Sequence, residues 1–176
     1  MLHYLKIAPT DTMNGWGVRV TIWLSGCKKQ PKCKGCFSPI SWDCNNGELY
    51  TKETEDYLIE LCSKKYITGL SISGGNPTDL LDDGQLISLV KTFKECFPNK
   101  DIICWSGNKY EDLIKDKLKL EFLQHIDFLR DGEFIPELID LTQYLEGSKN
   151  QRLIDIQETL KRGEIVLWEN QKYEKK

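Results

Sequence analysis

The sequence predicts an α/β protein, an incomplete parallel β/α barrel built as a single domain. Three observations carry that expectation. Short β-rich runs alternate with helical segments along the chain, the order that builds parallel strands joined by helical crossovers. The chain has 176 residues, too few for the about 250 of a closed eight-unit barrel. The strand-like runs end in glycine and small polar residues, and ligands of such folds collect at strand ends.

The elements follow in order. Val18–Leu24 (VRVTIWL) has the branched and aromatic content of a strand and runs into Ser25-Gly26. Residues 37–50 hold Pro39, Asn45, Asn46 and Gly47, a connecting segment. Thr51 caps a helix whose first turn carries Glu53, Glu55 and Asp56, placed favourably at the positive end of its dipole. Leu58, Leu61 and Cys62 give that helix an apolar stripe. Gly69–Ser73 is a second strand and ends in Gly74-Gly75-Asn76-Pro77. From Asp83 to Phe97, the positions Leu86, Leu89, Val90, Phe93 and Phe97 repeat at helical spacing. Asp101–Trp105 is a third strand leading to Ser106-Gly107, and Tyr110–Asp116 is helical. Ile126–Leu129 is a fourth strand before Arg130-Asp131-Gly132, and a fifth is expected at Glu164–Trp168. Residues 1–168 form the domain, with a polar, frayed tail at 169–176.

Composition narrows the function. Forty per cent apolar residues suffice for a core, and the net charge of −3 gives no electrostatic case for nucleic acid or an anionic membrane. No apolar run is long enough to span a bilayer, and the start MLHYLKIAPTDTMNGW lacks a signal-peptide pattern. A cytoplasmic location is expected. Seven cysteines are many for such a chain, and in a reducing compartment they are not a disulfide framework.

Three of the seven, Cys27, Cys33 and Cys36, crowd into ten residues, while Cys44, Cys62, Cys96 and Cys104 are scattered. Thiolates are soft ligands suited to iron–sulfur clusters, zinc and Cu(I). Structural zinc closes four ligands around one ion, and ordinary four-iron clusters also take four. Three close cysteines therefore suggest a cluster with one iron left open to substrate or cofactor. The alternative is a zinc-stabilised binding module with Cys44 or a histidine as fourth ligand. Lys28, Lys29, Lys32 and Lys34 surround the cysteines, either as a solvated loop surface or as positive charge that raises a cluster's potential and attracts an acidic donor.

Several motifs occur in one order: Asn14-Gly15-x-Gly17-x-Arg19, Ser25-Gly26-Cys27 leading into the cysteines, and Ser73-Gly74-Gly75-Asn76-Pro77. Trp105-Ser106-Gly107, Asp131–Phe134 and Gly147-Ser148-x-Asn150-Gln151 follow. Together, over roughly Tyr4 to Arg152, the chain resembles the glycyl-radical activases of the radical S-adenosylmethionine family. Here five residues separate the first two cysteines where three are usual, and Asn76 stands where an acid is usual.

The resemblance implies a partial barrel of the radical S-adenosylmethionine type. It implies a [4Fe-4S] cluster on Cys27, Cys33 and Cys36, and S-adenosylmethionine bound by Gly74, Gly75, Asn76, Ser106, Asp131 and Asn150. Gln151 is a weaker candidate for the same site. It also implies reductive cleavage of that cofactor to place a radical on a glycine of a large glycyl-radical reductase subunit. A flavodoxin-like or other low-potential donor would supply the electron. Asn14, Gly15, Gly17 and Arg19 would line the entrance for the reductase, although Arg19 reads equally well as a surface strand residue. An activase for another glycyl-radical enzyme, or a small-substrate synthase, shares the cysteines and the glycine turn.

Overall fold

The computed structural model describes residues 1–140, 142, 145 and 147–168; the expected tail at 169–176 lies outside them. Among these residues seven strands form one sheet, in the order β3-β1-β2-β4-β5-β6-β7. They are β1 (His3–Asp11), β2 (Val18–Ser25), β3 (Glu48–Leu49), β4 (Ile67–Gly74), β5 (Asp101–Trp105), β6 (Phe128–Asp131) and β7 (Arg152–Asp155). The central strands β2, β4, β5 and β6 are parallel. Both flanks are antiparallel, with β1 between β2 and β3 and with β7 beside β6. The α/β class and its parallel centre match the expectation. The sheet is open with antiparallel margins, so closure toward a barrel is not a feature of these strands.

Helices α1 (Lys52–Cys62), α2 (Gln85–Cys96), the short α3 (Tyr110–Leu113) and α4 (Lys117–Gln124) fill the crossovers, and α5 (Ile156–Arg162) follows β7. Local chemistry sets their ends. Thr51 and Thr54 form a capping box at α1, and the Asp116 carboxylate accepts the Leu118 and Lys119 N–H groups at α4. Asp155 caps α5 and Gly163, at φ +74°, stops it.

One face of the sheet is packed by helices. Val20, Ile22, Leu24, Leu70, Ile72, Ile102, Cys104 and Leu129 meet Leu58, Leu86, Val90, Phe93 and Phe122, all fully buried. Each such side chain contributes about 1.5–3 kcal/mol. The other face carries a smaller cluster of Trp16, Ile103 and Leu153, with Trp105, Phe128, Leu145 and Trp168 against it. Trp16 stacks on Trp168 at 4.9 Å and meets the edge of Phe128 at 4.7 Å. Segments without helix or strand cover this face, and the strand ends open onto it.

Three element expectations are corrected. The strand expected at Glu164–Trp168 is a single bridge from Leu167 to Ile154; the strand proper is Arg152–Asp155, which turns directly into α5. The fourth strand is shifted to Phe128–Asp131, because Ile126 still closes the turn after α4 through its N–H to Leu123 O. The helix expected at Tyr110–Asp116 stops at Leu113, and the Asp116 cap starts a new one.

Candidate metal and cofactor site

The C-terminal ends of β2, β4, β5 and β6 deliver the cysteine loop, Gly74-Gly75, Ser106-Gly107 and Gly132 to one place. An open cleft of about 200 Å³ forms there, lined by Cys33, Cys36, Ser73–Gly75, Trp105–Gly107, Gly132 and Gln151 and roofed by Phe37 and Phe134. Those two rings lie 4.5 Å apart.

The cysteine loop is anchored at its start by backbone. Gly26 N–H donates to Ser41 O at 2.8 Å and Cys27 N–H to Trp42 O at 3.2 Å. Asn76 N–H donates to Gly26 O at 2.7 Å and joins the loop to the turn after β4. Cys27, Cys33 and Cys36 form no disulfide and are half-buried. Burial pushes the Cys33 thiol up, partly countered by the Phe134 backbone N–H. Cys62 and Cys104 are buried in the helix-side core, and burial raises the Cys62 thiol to about 12. Among the described residues no three His, Cys, Asp or Glu side chains converge as ligands of one ion. Half-buried thiols on a loop at a cleft fit a cluster, whose thiolates bind separate irons. A further fit is Asn150 Oδ1, a buried acceptor with no partner among the described residues. Its amide nitrogen donates to Glu133 O at 2.7 Å.

Gly75 lines the cleft and also packs against the cysteine loop. A Cβ there would lie 2.0 Å from Gly26 O and 2.7 Å from Gly26 C, so this glycine lets the β4 turn touch the cysteine loop. Gly74 sits at φ +81° against the β2 backbone. The Asn76 side chain is 1% exposed and turned inward. Its Oδ1 accepts from Ser106 Oγ at 3.2 Å and Gly107 N–H at 3.1 Å, and its Nδ2 donates to Asp79 at 2.7 Å. Ser106 Oγ also meets Thr78 Oγ1 at 2.7 Å.

Asp131 is fully buried beside the cleft and taken up by Arg152, whose Nε donates at 3.0 Å, and by the Tyr110 N–H at 2.9 Å. Arg152 also pairs Glu111 in bidentate fashion, at 3.0 and 2.8 Å. The Arg152 hydrogen bonds hold the Glu111 carboxyl down at about 2. Gln151 ties the rim together: its Oε1 accepts from Arg130 and the Gly147 and Ser148 N–H groups, and its Nε2 donates to Gly132 O.

The residues expected at the entrance lie elsewhere. Asn14, Gly15, Gly17 and Arg19 precede or open β2, whereas the cysteines follow its far end. Arg19 is fully buried, neither a surface residue nor exposed to a partner. It pairs Asp101 at 2.6 Å and donates to Ser71 Oγ at 2.7 Å and Leu70 O at 2.9 Å. Asn14 O accepts from Ser71 Oγ, and a Cβ on Gly15 would strike the Arg19 side chain at 2.5 Å. Trp16, whose indole N–H donates to Asp101 at 2.8 Å, completes this plug. The loop lysines are also spoken for. Lys28 pairs Asp82, Lys29 pairs Glu133, Lys34 pairs Glu137, and Lys32 donates to Cys27 O. Three of these four positive charges are thus matched by a carboxylate. Sequence reasoning missed Asp79 and Asn108, whose signal was their place just past the Asn-Pro and Ser-Gly turns.

A family described as a 4Fe-4S single cluster domain matches residues 13–154. The anaerobic ribonucleoside-triphosphate reductase-activating protein of Enterobacteria phage T4 is 38% identical over 152 residues, 86% of this chain and 93% of its own. Those of Haemophilus influenzae and Escherichia coli K12 are 38% and 33% identical, over 85% of this chain and 96% of theirs. With a cysteine cleft at the strand ends and similarity across nearly the whole sheet, the chain belongs to the 4Fe-4S family of anaerobic ribonucleoside-triphosphate reductase-activating proteins.

Proposed function

We propose that this chain is a radical S-adenosylmethionine activase that generates a glycyl radical on the large subunit of anaerobic ribonucleoside-triphosphate reductase. The observation that carries this is the convergence of the cysteine loop with three other strand ends on one cleft, in a chain whose relatives are named as activators of that reductase. Cys27, Cys33 and Cys36 would hold the [4Fe-4S] cluster, and three protein ligands leave one iron for the methionine end of S-adenosylmethionine. When bound, the cluster supplies the electron for reductive cleavage of that cofactor, the chemistry that places a radical on a glycine.

The chain's own residues bind and exclude. Gly74 and Gly75 hold the backbone floor close to the cluster loop, Gly132 lines the cleft with Asn150 packed behind it, and Phe37 and Phe134 shield the mouth. Asn76, Ser106 and Asp131 act by holding these segments in place, since their polar atoms are engaged with protein. Arg19 and the Asn14–Gly17 segment support the sheet under the cleft. The reductase then meets the cleft mouth rather than that segment. A single sheet with a parallel centre is compatible with the partial barrel of this enzyme type. No helix among the described residues is long and apolar enough to cross a membrane.

Anaerobic reconstitution tests the proposal. About four irons per chain and stoichiometric glycyl radical in the reductase, read by electron paramagnetic resonance, are expected. One zinc per chain would overturn it in favour of a binding module. Turnover of a small molecule with no radical in the reductase would instead show a small-substrate enzyme.

A further inference from the structure

We infer that Asp79 is the positioning residue of the cluster loop, and that its carboxylate lowers the potential of a cluster bound there. This rests on the proposed cluster site. Three segments that form the cleft meet at this one side chain. Asp79 Oδ2 accepts from the Lys28 N–H at 3.2 Å, immediately after the first candidate ligand, Cys27. The same oxygen accepts from Asn76 Nδ2 at 2.7 Å, on the turn after β4. Asp79 Oδ1 accepts from Asn108 Nδ2 at 2.9 Å, on the turn after β5. Asn76 extends the tie from its other end, to Ser106, Gly107 and, through its backbone N–H, Gly26 O. Thr78 joins as well, receiving a second bond from Asn108 at 3.2 Å.

The local chain makes this possible. Pro77–Asp79 is a single 3-10 turn begun by Asn76. It brings Asp79 back over the Asn76 amide, with Asn76 O accepting the Asp79 N–H at 2.9 Å. No lysine forms an ion pair with Asp79 among the described residues; Lys28, whose ammonium pairs Asp82 at 2.5 Å, acts on it only at longer range. The carboxylate is thus held by amide donors beside the cysteine loop. Net charge and hydrogen bonding around a cluster set its potential, and a nearby negative charge disfavours the reduced, more negative state. Asp79 accordingly makes the cluster a stronger reductant while fixing where Cys27 stands relative to the two turns.

The test is Asp79→Asn, which keeps the side-chain size but removes the charge and one acceptor. Iron content and S-adenosylmethionine binding should stay within about twofold of wild type. The midpoint potential should move in the positive direction. In the cluster-free chain, the Lys28 amide should exchange with solvent at least tenfold faster, as expected when a local bond is lost. Asp82→Asn, which changes charge on an exposed carboxylate that does not hold the loop backbone, should shift the potential less and leave Lys28 exchange unchanged. Wild-type potential together with wild-type Lys28 protection in Asp79→Asn would overturn the inference, as would an equal shift in Asp82→Asn. A wild-type chain that assembled no four-iron cluster would strike the proposed function instead, and the exchange measurement on the cluster-free chain would still judge the positioning role.

Discussion

Replacing Gly75 by alanine adds one methyl group where the structure has no room. Its Cβ would stand 2.0 Å from Gly26 O, and real Cβ atoms essentially never approach within 3.0 Å. The two backbones must therefore separate by about 1 Å. The Asn76 N–H···O Gly26 bond, 2.7 Å long, stretches to about 3.7 Å and is lost as a hydrogen bond. A buried bond of this kind contributes about 1 kcal/mol, and leaving its buried groups unpaired costs about 1–3 kcal/mol more. The expected destabilisation is thus about 2–4 kcal/mol. For a chain of this size each kcal/mol lowers Tm by about 2–4 °C, so a fall of roughly 4–16 °C should appear in thermal unfolding followed by circular dichroism. Because the clash is with the residue before Cys27, iron uptake should fall along with stability. A substitution at Gly75 does not separate cofactor binding from cluster assembly. Gly107→Ala lines the same cleft, but its added methyl meets nothing closer than Lys29 Cδ at 3.8 Å; it should unfold within about 0.5 kcal/mol of wild type, as an unstrained substitution does. A Gly75→Ala chain with wild-type Tm and full iron content would refute the reasoning.

Serine at Cys27, Cys33 or Cys36 should abolish the thiolate-to-iron absorbance after reconstitution, whereas Cys96→Ser, at an exposed position, should retain it. Arg19→Ala leaves Asp101 without its ion pair and Ser71 without its donor. Since Asp101 is partly exposed, the loss in urea unfolding should be about 3 kcal/mol, the lower end of the range for broken buried pairs, and reductase binding by the folded fraction should be unaffected. The Glu111 carboxyl is depressed from 4.5 to about 2 by Arg152. Its stabilising contribution is therefore fully present above pH 4.5 and is lost as pH falls toward 2. Acid titration of Arg152→Gln should lack that component, and an unchanged acid limb would remove Glu111 as its source.

The parallel centre of the sheet was legible because Val18–Leu24, Gly69–Ser73 and Asp101–Trp105 are buried on both faces and read as continuous strand-formers. β1 was not, because Pro9, Thr10 and two register irregularities break the alternation of a strand near the sheet margin. β7 was hidden by its four-residue length and by α5 beginning at the next position. At the site, the crowding of cysteines and the glycine turn pointed to the right strand ends, since both depend on local sequence. The partners of polar residues did not follow from spacing. Arg19 and Asp101 are 82 positions apart, and the Asp131–Arg152 pair joins antiparallel neighbours that the sequence did not place side by side. Trp16 likewise reads as an arbitrary residue until its stacking on Trp168 is known.

Among the described residues helices shield one face of this sheet, while the other carries irregular segments around Trp16, Leu145 and Trp168. Protection against hydrogen exchange should divide accordingly. The helix-backed amides of Val20–Leu24 and Leu70–Ile72 should open only with the whole molecule, and the cover over Ile103 and Leu153 should open in smaller, cheaper events. The irregular cover on this face can thus yield while the helix-backed scaffold beneath it stays folded.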